Sequence, residues 1–161
     1  MSVALLVRLR KNQEPRDDFE SFLWVLLYNV LRYRPTCVKG LRLQELVHRI
    51  FDDVDVSKKG GDGKLAFFHS RKFVKKEVRE SDLPIPLKNI LEALRDLFRP
   101  LYLICGEDRA YLSADERTAL VKAETLTSNS KAIGKIFKDN LTTREQWPEN
   151  DKAEDQLPHA N

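Results

Sequence analysis

The sequence RDDFESFLWVLLYNVLRY, from Arg16 to Tyr33, is the most apolar stretch of this 161-residue chain, and two aspartates stand at its start. A short acidic side chain accepts hydrogen bonds from the free N–H groups of a first helical turn. We therefore expect a helix that has Asp17 or Asp18 as its N-cap and runs to about Arg34. Pro35 follows, and proline cannot continue a helix.

Apolar residues lie on every side of this predicted helix rather than along one face. They are Phe19, Phe22, Leu23, Trp24, Val25, Leu26, Leu27, Tyr28, Val30 and Leu31. Such a helix is buried in a larger core or spans a membrane. The run from Phe22 to Leu31 is too short for a bilayer, which needs about 20 apolar residues. Other helices must therefore surround it, and we expect the amphipathic stripes of segments 41–53 and 86–104 to cover part of it rather than all of it.

Helical patterns recur along the rest of the chain, and no segment has a convincing strand pattern, so we predict an all-α fold. Ser2 is the expected cap of a first short helix, and Ser113 with Glu116 forms a capping box at a later one. The expected helices beyond the first quoted segment lie within 2–9, 41–53, 64–78, 86–104, 113–126 and 128–141.

The last twenty residues, 142–161, are polar and contain prolines, which predicts a flexible, disordered tail. Trp147 is the large apolar residue in this tail. We expect it to dock the tail on the helical domain, in preference to serving as a recognition anchor for another molecule.

Composition argues against several functional classes. Lys and Arg number 28 and Asp and Glu number 25, a net charge of +3, and the two signs are interleaved along the chain. Proteins that bind nucleic acids usually carry a concentrated basic stripe, which this sequence lacks. We therefore expect no nucleic-acid binding. Cys37 and Cys105 form no disulfide or zinc framework, and we expect each to be buried or half-buried. With no signal peptide pattern, we predict a soluble intracellular protein, cytoplasmic or nuclear.

Two glycine-rich motifs suggest ligands at first sight. GGDGK (60–64) lacks the spacing and the Ser or Thr of a phosphate-binding loop. DVDVSKKGGDGK (53–64) has Lys58 where a calcium loop needs glycine and Lys64 where it needs glutamate. The three histidines are far apart in sequence. The residues therefore predict no catalytic, cofactor-binding or metal-binding side chain.

The segment DDFESFLWVLLY (17–28) resembles the start of the large central helix in the protein-kinase C-terminal lobe. Ordinary kinases have Asp-x-Trp-Ser-x-Gly there, and the casein-kinase-like branch has Asp-Asp-Leu-Glu-Ser-Leu. The fungal-type protein kinase family of mushroom-forming fungi carries very similar DDLESFFWVLL segments. MSVALL (1–6) resembles the segment after that family's activation loop, IFDDVDVSKKGGDGK (50–64) its variable insert, and WPENDKAEDQLP (147–158) its C-terminal ending.

This resemblance implies a partial kinase-like C-lobe over 1–141, followed by the tail. Residues 1–35 would hold the short helix after the activation loop and the central helix, and 36–141 would be a variable helical region. In kinases the aspartate at the position of Asp18 accepts hydrogen bonds from the backbone of the catalytic loop. The resemblance makes Asp18 a structural anchor, and we expect the neighbouring Asp17 to face solvent.

The motifs of phosphoryl transfer are missing from the sequence. It has no Gly-rich loop, strand lysine, His-Arg-Asp loop or Asp-Phe-Gly, which by the resemblance would precede Met1. Ser2-Val3-Ala4 replaces the usual Ala-Pro-Glu. We therefore expect no kinase activity from this chain alone, and ATP and magnesium binding only in a full-length parent.

Three interpretations remain open. The chain is an inactive fragment of a fungal-type kinase, a non-catalytic module that contacts another protein through exposed apolar surface, or an unrelated all-α enzyme or adaptor. Kinase motifs encoded upstream of Met1 would indicate the fragment. A monomer that melts cooperatively would indicate the module. The third interpretation predicts a pocket with converging titratable groups, of which the sequence gives no sign.

Overall fold

The structure is a computed structural model that describes residues 1–7, 12–52, 61–70, 82–102, 111–142, 144–149 and 152–158. All regular secondary structure in these ranges is helical, which confirms the predicted all-α class. The described α-helices are α1 (Val3–Val7), α2 (Pro15–Tyr33), α3 (Leu41–Phe51), α4 (Asp62–His69), α5 (Ile85–Phe98), α6 (Ala114–Leu126) and α7 (Lys131–Leu141).

Helix α2 begins earlier than its aspartates suggest. Its N-cap is Glu14, with Pro15 in the first turn and Asp17 at the third helical position. Proline suits this start because its fixed φ is helical and its missing N–H would have no partner there. The backbone N–H of Glu14 donates to Asp17 Oδ2 at 2.8 Å. The N-cap predicted at Asp17 or Asp18 is therefore wrong, whereas the end before Pro35 is confirmed.

Helices α2 and α5 form the centre of the packing. Helix α2 contacts α1, α3 and α5, and α5 also contacts α4, α6 and α7. The buried hydrophobic core is drawn from Val3, Leu23, Trp24, Leu27, Val30, Leu31, Leu43, Leu46, Val47, Ile50, Phe67, Phe68, Leu83, Leu87, Ile90, Leu91, Leu94, Phe98 and Ile133. Both predicted amphipathic stripes supply this core, and they cover one side of α2.

Helices α3 and α4 approach each other closely. A Cβ placed on Gly63 would lie 1.9 Å from the backbone oxygen of Arg49 in α3, so the contact requires glycine. Gly61, the N-cap of α4, has φ of 108°, a left-handed conformation that glycine adopts without strain. Helix α4 therefore starts before the predicted position 64. The rest of the segment in which this helix is expected, residues 71–78, lies outside the described residues.

Helix α5 ends at Phe98 and continues as a short 3₁₀ turn, Arg99–Leu101, where Pro100 cannot supply a helical N–H. The capping box at the start of α6 is confirmed, because Ser113 Oγ accepts from the N–H of Glu116 at 3.2 Å. No helix within the described ranges combines the length and apolar character needed to cross a membrane.

The C-terminal segment, expected to be flexible, has defined contacts in its described parts. Trp147 packs against the hydrophobic core, which confirms the predicted docking. Leu157 also packs there, and Asp155 forms an ion pair with Arg32 of α2 at 2.8 Å. Residues 154–156 thus contact the C-terminal end of α2, which the polar sequence did not predict.

Candidate functional site

A cluster of polar side chains lies inside the protein where α1, α2, α4 and the end of the 3₁₀ turn meet. This polar cluster consists of Ser2, Asp17, Glu20, Lys64 and Tyr102. Ser2, Asp17 and Glu20 are at most 2% exposed, and Lys64 is 5% exposed. Charged side chains are seldom buried to this extent unless they are paired, so the polar cluster is the first candidate for a site.

Glu20 makes three hydrogen bonds from within α2. Its Oε1 accepts from the backbone N–H of Val3 and from Trp24 Nε1, both at 2.8 Å, and its Oε2 accepts from the hydroxyl of Tyr102. Burial raises the pKa of Glu20 above its ordinary value, and the three hydrogen bonds act in the opposite direction. The carboxylate thus joins α1, α2 and the segment after α5.

Lys64 enters the polar cluster from α4. Its Nζ donates to the backbone oxygen of Met1 at 3.0 Å and lies 5.3 Å from the ring centroid of Trp24. Burial lowers the pKa of Lys64, while the negative charge of Glu20 raises it. The lysine that made GGDGK resemble a phosphate loop is therefore held inside the protein by groups of its own chain.

Asp17 lies in the polar cluster, so the prediction that it faces solvent is wrong. It is 2% exposed, and its Oδ1 accepts from Ser2 Oγ at 2.7 Å. The physical reason is helical periodicity, because residues three apart share a side of a helix and Glu20 is buried. Asp17 connects α1 to the first turn of α2.

Asp18 lies on the opposite, outward side of α2. It is exposed, and its Oδ1 accepts from Gln13 Nε2 at 2.5 Å. Phe22 and Val25 follow it on the same side, at spacings of four and three residues, and are 65% and 60% exposed. The neighbouring helices therefore cover only part of α2, as expected, and this side is left uncovered. The role of Asp18 as anchor of a catalytic loop stays a prediction.

Other predicted residues lie apart from the polar cluster. His48 and His69 are exposed, and His159 and Cys105 fall outside the described residues. Cys37 is exposed, so its predicted burial is wrong; it belongs to the connection between α2 and α3, which crosses the surface. Within the described ranges, no group of three or more His, Cys, Asp or Glu residues is placed to hold a metal ion.

Besides Asp17, sequence reasoning missed three buried charges in the described part of the chain, Glu20, Lys64 and Arg95. The Arg95 guanidinium donates from Nε to the backbone oxygen of Phe67 at 3.0 Å and from Nη2 to that of Phe68 at 2.9 Å. Position offered one signal: Glu20 falls on the same helical stripe as Trp24 and Leu27. The same signal marks Arg95, which lies four residues after Leu91 and three before Phe98, and Lys64, which lies three and four residues before Phe67 and Phe68. Their hydrogen-bond partners, by contrast, are distant in sequence.

The geometry of the polar cluster is that of a structural network. The oxygens of Asp17 and Glu20 accept from donors of the protein, and Lys64 donates to a backbone oxygen. Satisfied networks of this kind fix the arrangement of helices. The fold and the site together define an all-α protein whose buried ionisable groups join its helices.

Comparison with known proteins found no matching family model, no matching curated protein and no matching solved structure. The class of the fold therefore comes from the structure alone.

Proposed function

We propose that this chain is the helical lower part of a kinase-like C-lobe of the fungal-type protein kinase family, and that it transfers no phosphate by itself. The observation that supports the proposal is the outward side of α2, where Asp18, Phe22 and Val25 are aligned and exposed. In the resembled family, the aspartate at this position binds the catalytic-loop backbone. An acidic acceptor beside two apolar side chains suits a surface that such a loop would cover.

Inactivity follows from the chemistry of phosphoryl transfer, which depends on positioning and charge stabilisation. None of the kinase motifs that hold ATP and magnesium is present in the sequence. The buried ionisable groups of the described residues bind other parts of the protein; Lys64, for example, is directed at Met1. We therefore expect ATP and magnesium only in a longer parent protein that contains those motifs.

A direct test combines an activity assay with a chimera. The purified 161-residue chain should show no phosphate transfer from ATP with magnesium to itself or to a general protein substrate. In an active fungal-type kinase, residues 1–141 of this chain would replace the corresponding segment. The chimera should keep phosphotransfer, and Asp18→Ala should remove it.

Asp139→Ala is the matched control in the chimera, because Asp139 is exposed and pairs with Lys135 on α7. Activity of the isolated chain would contradict the predicted inactivity. A folded chimera without activity, or one in which both alanine variants behave alike, would contradict the proposed position in a kinase lobe.

A second candidate is a non-catalytic module that docks on another protein through the outward side of α2. The exposure of both Phe22 and Val25 favours it, because adjacent exposed apolar side chains on one stripe are typical of contact surfaces. Sedimentation and thermal melting separate the two candidates. An independent module should be a monomer that melts cooperatively, whereas a lobe fragment should associate or lack a cooperative transition.

A further inference from the structure

The C-terminal end of α2 binds an extended segment of the same chain, residues 154–157. The backbone N–H of Gln156 donates to the oxygen of Arg32 at 2.7 Å, and that of Glu154 donates to the oxygen of Tyr33 at 3.4 Å. The last four carbonyls of a helix have no partner within the helix. We call residues 154–157 the strap, since its alternate N–H groups occupy two of these carbonyls.

Arg32 gives this end of α2 a positively charged side chain of fixed geometry. Its Nε and Nη2 donate to Asp155 Oδ2 at 3.1 and 2.8 Å. Its Nη1 donates to the hydroxyl of Tyr28 at 2.9 Å, and its guanidinium lies 5.1 Å from the ring centroid of Tyr33. Tyr28 and Tyr33 of α2 already hold the guanidinium in place. Binding of a carboxylate there therefore costs little further side-chain entropy.

The strap supplies an apolar anchor two residues after its carboxylate. Leu157 packs against the hydrophobic core, and its backbone N–H donates to Asp155 Oδ1 at 3.1 Å. The carboxylate thus binds Arg32 with one oxygen and fixes the direction of the following residues with the other. Together the contacts recognise a short pattern: an extended backbone, an aspartate, and a leucine two positions later.

We propose that the C-terminal end of α2 is a peptide-binding site, filled in cis by the strap, for an acidic segment of a partner protein with the Asp-x-Leu pattern. The cis segment shows the ligand chemistry that the site accepts, and charge complementarity to Arg32 requires the carboxylate. The ion pair is partly exposed, with Arg32 at 32% and Asp155 at 26%, and exposed pairs hold weakly, so a competing peptide can displace the strap. The proposal is independent of the kinase-like function.

The test is an NMR titration of the full 161-residue chain, labelled with ¹⁵N, with a synthetic peptide of residues 150–161 (NDKAEDQLPHAN). In the wild type the strap competes with the peptide, because a tethered ligand has a high effective concentration. Asp155→Asn weakens the strap, so the peptide should bind this variant roughly two- to fivefold more tightly. Amide signals of Tyr33 and Arg34 should shift.

Controls separate recognition from nonspecific charge. Arg32→Gln in the Asp155→Asn background should weaken peptide binding by roughly two- to fivefold, whereas Lys135→Gln should not change it, since Lys135 pairs with Asp139 on the exposed surface of α7. A peptide carrying Asp155→Asn should bind the Asp155→Asn protein roughly two- to fivefold more weakly than the unchanged peptide does. This comparison holds even where Arg32→Gln fails to fold. Absent or Arg32-independent binding would overturn the proposal. If two copies of the chain exchanged their straps to form a dimer, the occupant of the site would be a second copy and not a partner protein. That result would also overturn the proposal.

Discussion

Glu20 and Tyr102 are 82 residues apart in sequence, and the Tyr102 hydroxyl donates to Glu20 Oε2. The ring of Tyr102 also stacks on Phe68 of α4, with centroids 4.9 Å apart and planes inclined by 13°. One side chain therefore joins α2 and α4 to the chain that follows α5. The polar cluster and the hydrophobic core meet at this residue.

Tyr102→Phe should destabilise the fold by about 1–2 kcal/mol, because it removes a donor from a buried carboxylate and keeps the ring. Urea denaturation followed by circular dichroism measures the change. Tyr111→Phe is the matched control, since Tyr111 is 86% exposed and its substitution should leave the midpoint unchanged. Equal midpoints for both variants would show that the Glu20 contact contributes nothing.

Glu20→Gln should change how stability depends on pH. Burial in the folded protein raises the pKa of Glu20 above its ordinary value of 4.5, so the folded state holds the proton more tightly than the unfolded state does. Its stabilising contribution is complete below 4.5 and is lost as pH rises through the folded pKa. The variant should therefore gain thermal stability relative to the wild type as pH rises from 4.5 towards neutrality.

Glu116→Gln provides a control with the opposite sign. Hydrogen bonds from the backbone and side chain of Ser113 lower the pKa of Glu116 below 4.5. The stability that Glu116 contributes is present above 4.5 and is lost as pH falls through the folded pKa. This variant should lose stability relative to the wild type as pH rises. Parallel melting profiles for both glutamine variants would contradict the assigned role of Glu20.

The helices could be predicted from sequence because their signals are local. The stripe of α3 and the capping box of Ser113 and Glu116 each depend on residues within two turns, and both occur as expected. The predicted start of α2 is wrong because acidic residues suit the first helical turn as well as the cap, and Pro15 allows an earlier start at Glu14.

The polar cluster could be predicted only in part, because its partners are distant in sequence. Periodicity alone would place Asp17 and Glu20 on the side of α2 that Trp24 also occupies. The donors of Val3 and Tyr102 that make burial of a carboxylate tolerable belong to other elements. Hydrogen bonds across the tertiary structure outweigh the general preference of charged residues for solvent.

Two glycines should respond oppositely to alanine. Gly63→Ala places a methyl group 1.9 Å from the backbone oxygen of Arg49, so α3 and α4 must separate, and we expect a loss of about 3 kcal/mol or more. Gly134→Ala in α7 meets nothing within 4 Å and should stabilise the helix by about 0.5–1 kcal/mol. Chemical denaturation measures both changes. A neutral Gly63→Ala would mean that α3 and α4 are not packed this closely.

Arg95 should be the most sensitive of the buried charges, because it holds the end of α4. Its guanidinium is bonded to the backbone oxygens of Phe67 and Phe68, which are among the helix carbonyls that lack partners within α4. Arg95→Gln shortens the side chain and removes both of these buried hydrogen bonds. We expect a loss of about 3 kcal/mol in the free energy of unfolding.

Two further variants make the Arg95 experiment specific. Arg95→Lys keeps the charge but loses the planar fork that reaches two carbonyls, so its stability should lie between wild type and Arg95→Gln. Arg42→Gln removes an exposed arginine from α3 and should have little effect. Hydrogen exchange at Ser70, whose amide bonds to Ala66, should speed up in the Arg95 variants before global unfolding. If Arg95→Lys matches the wild type in both measurements, charge rather than bidentate geometry holds the end of α4.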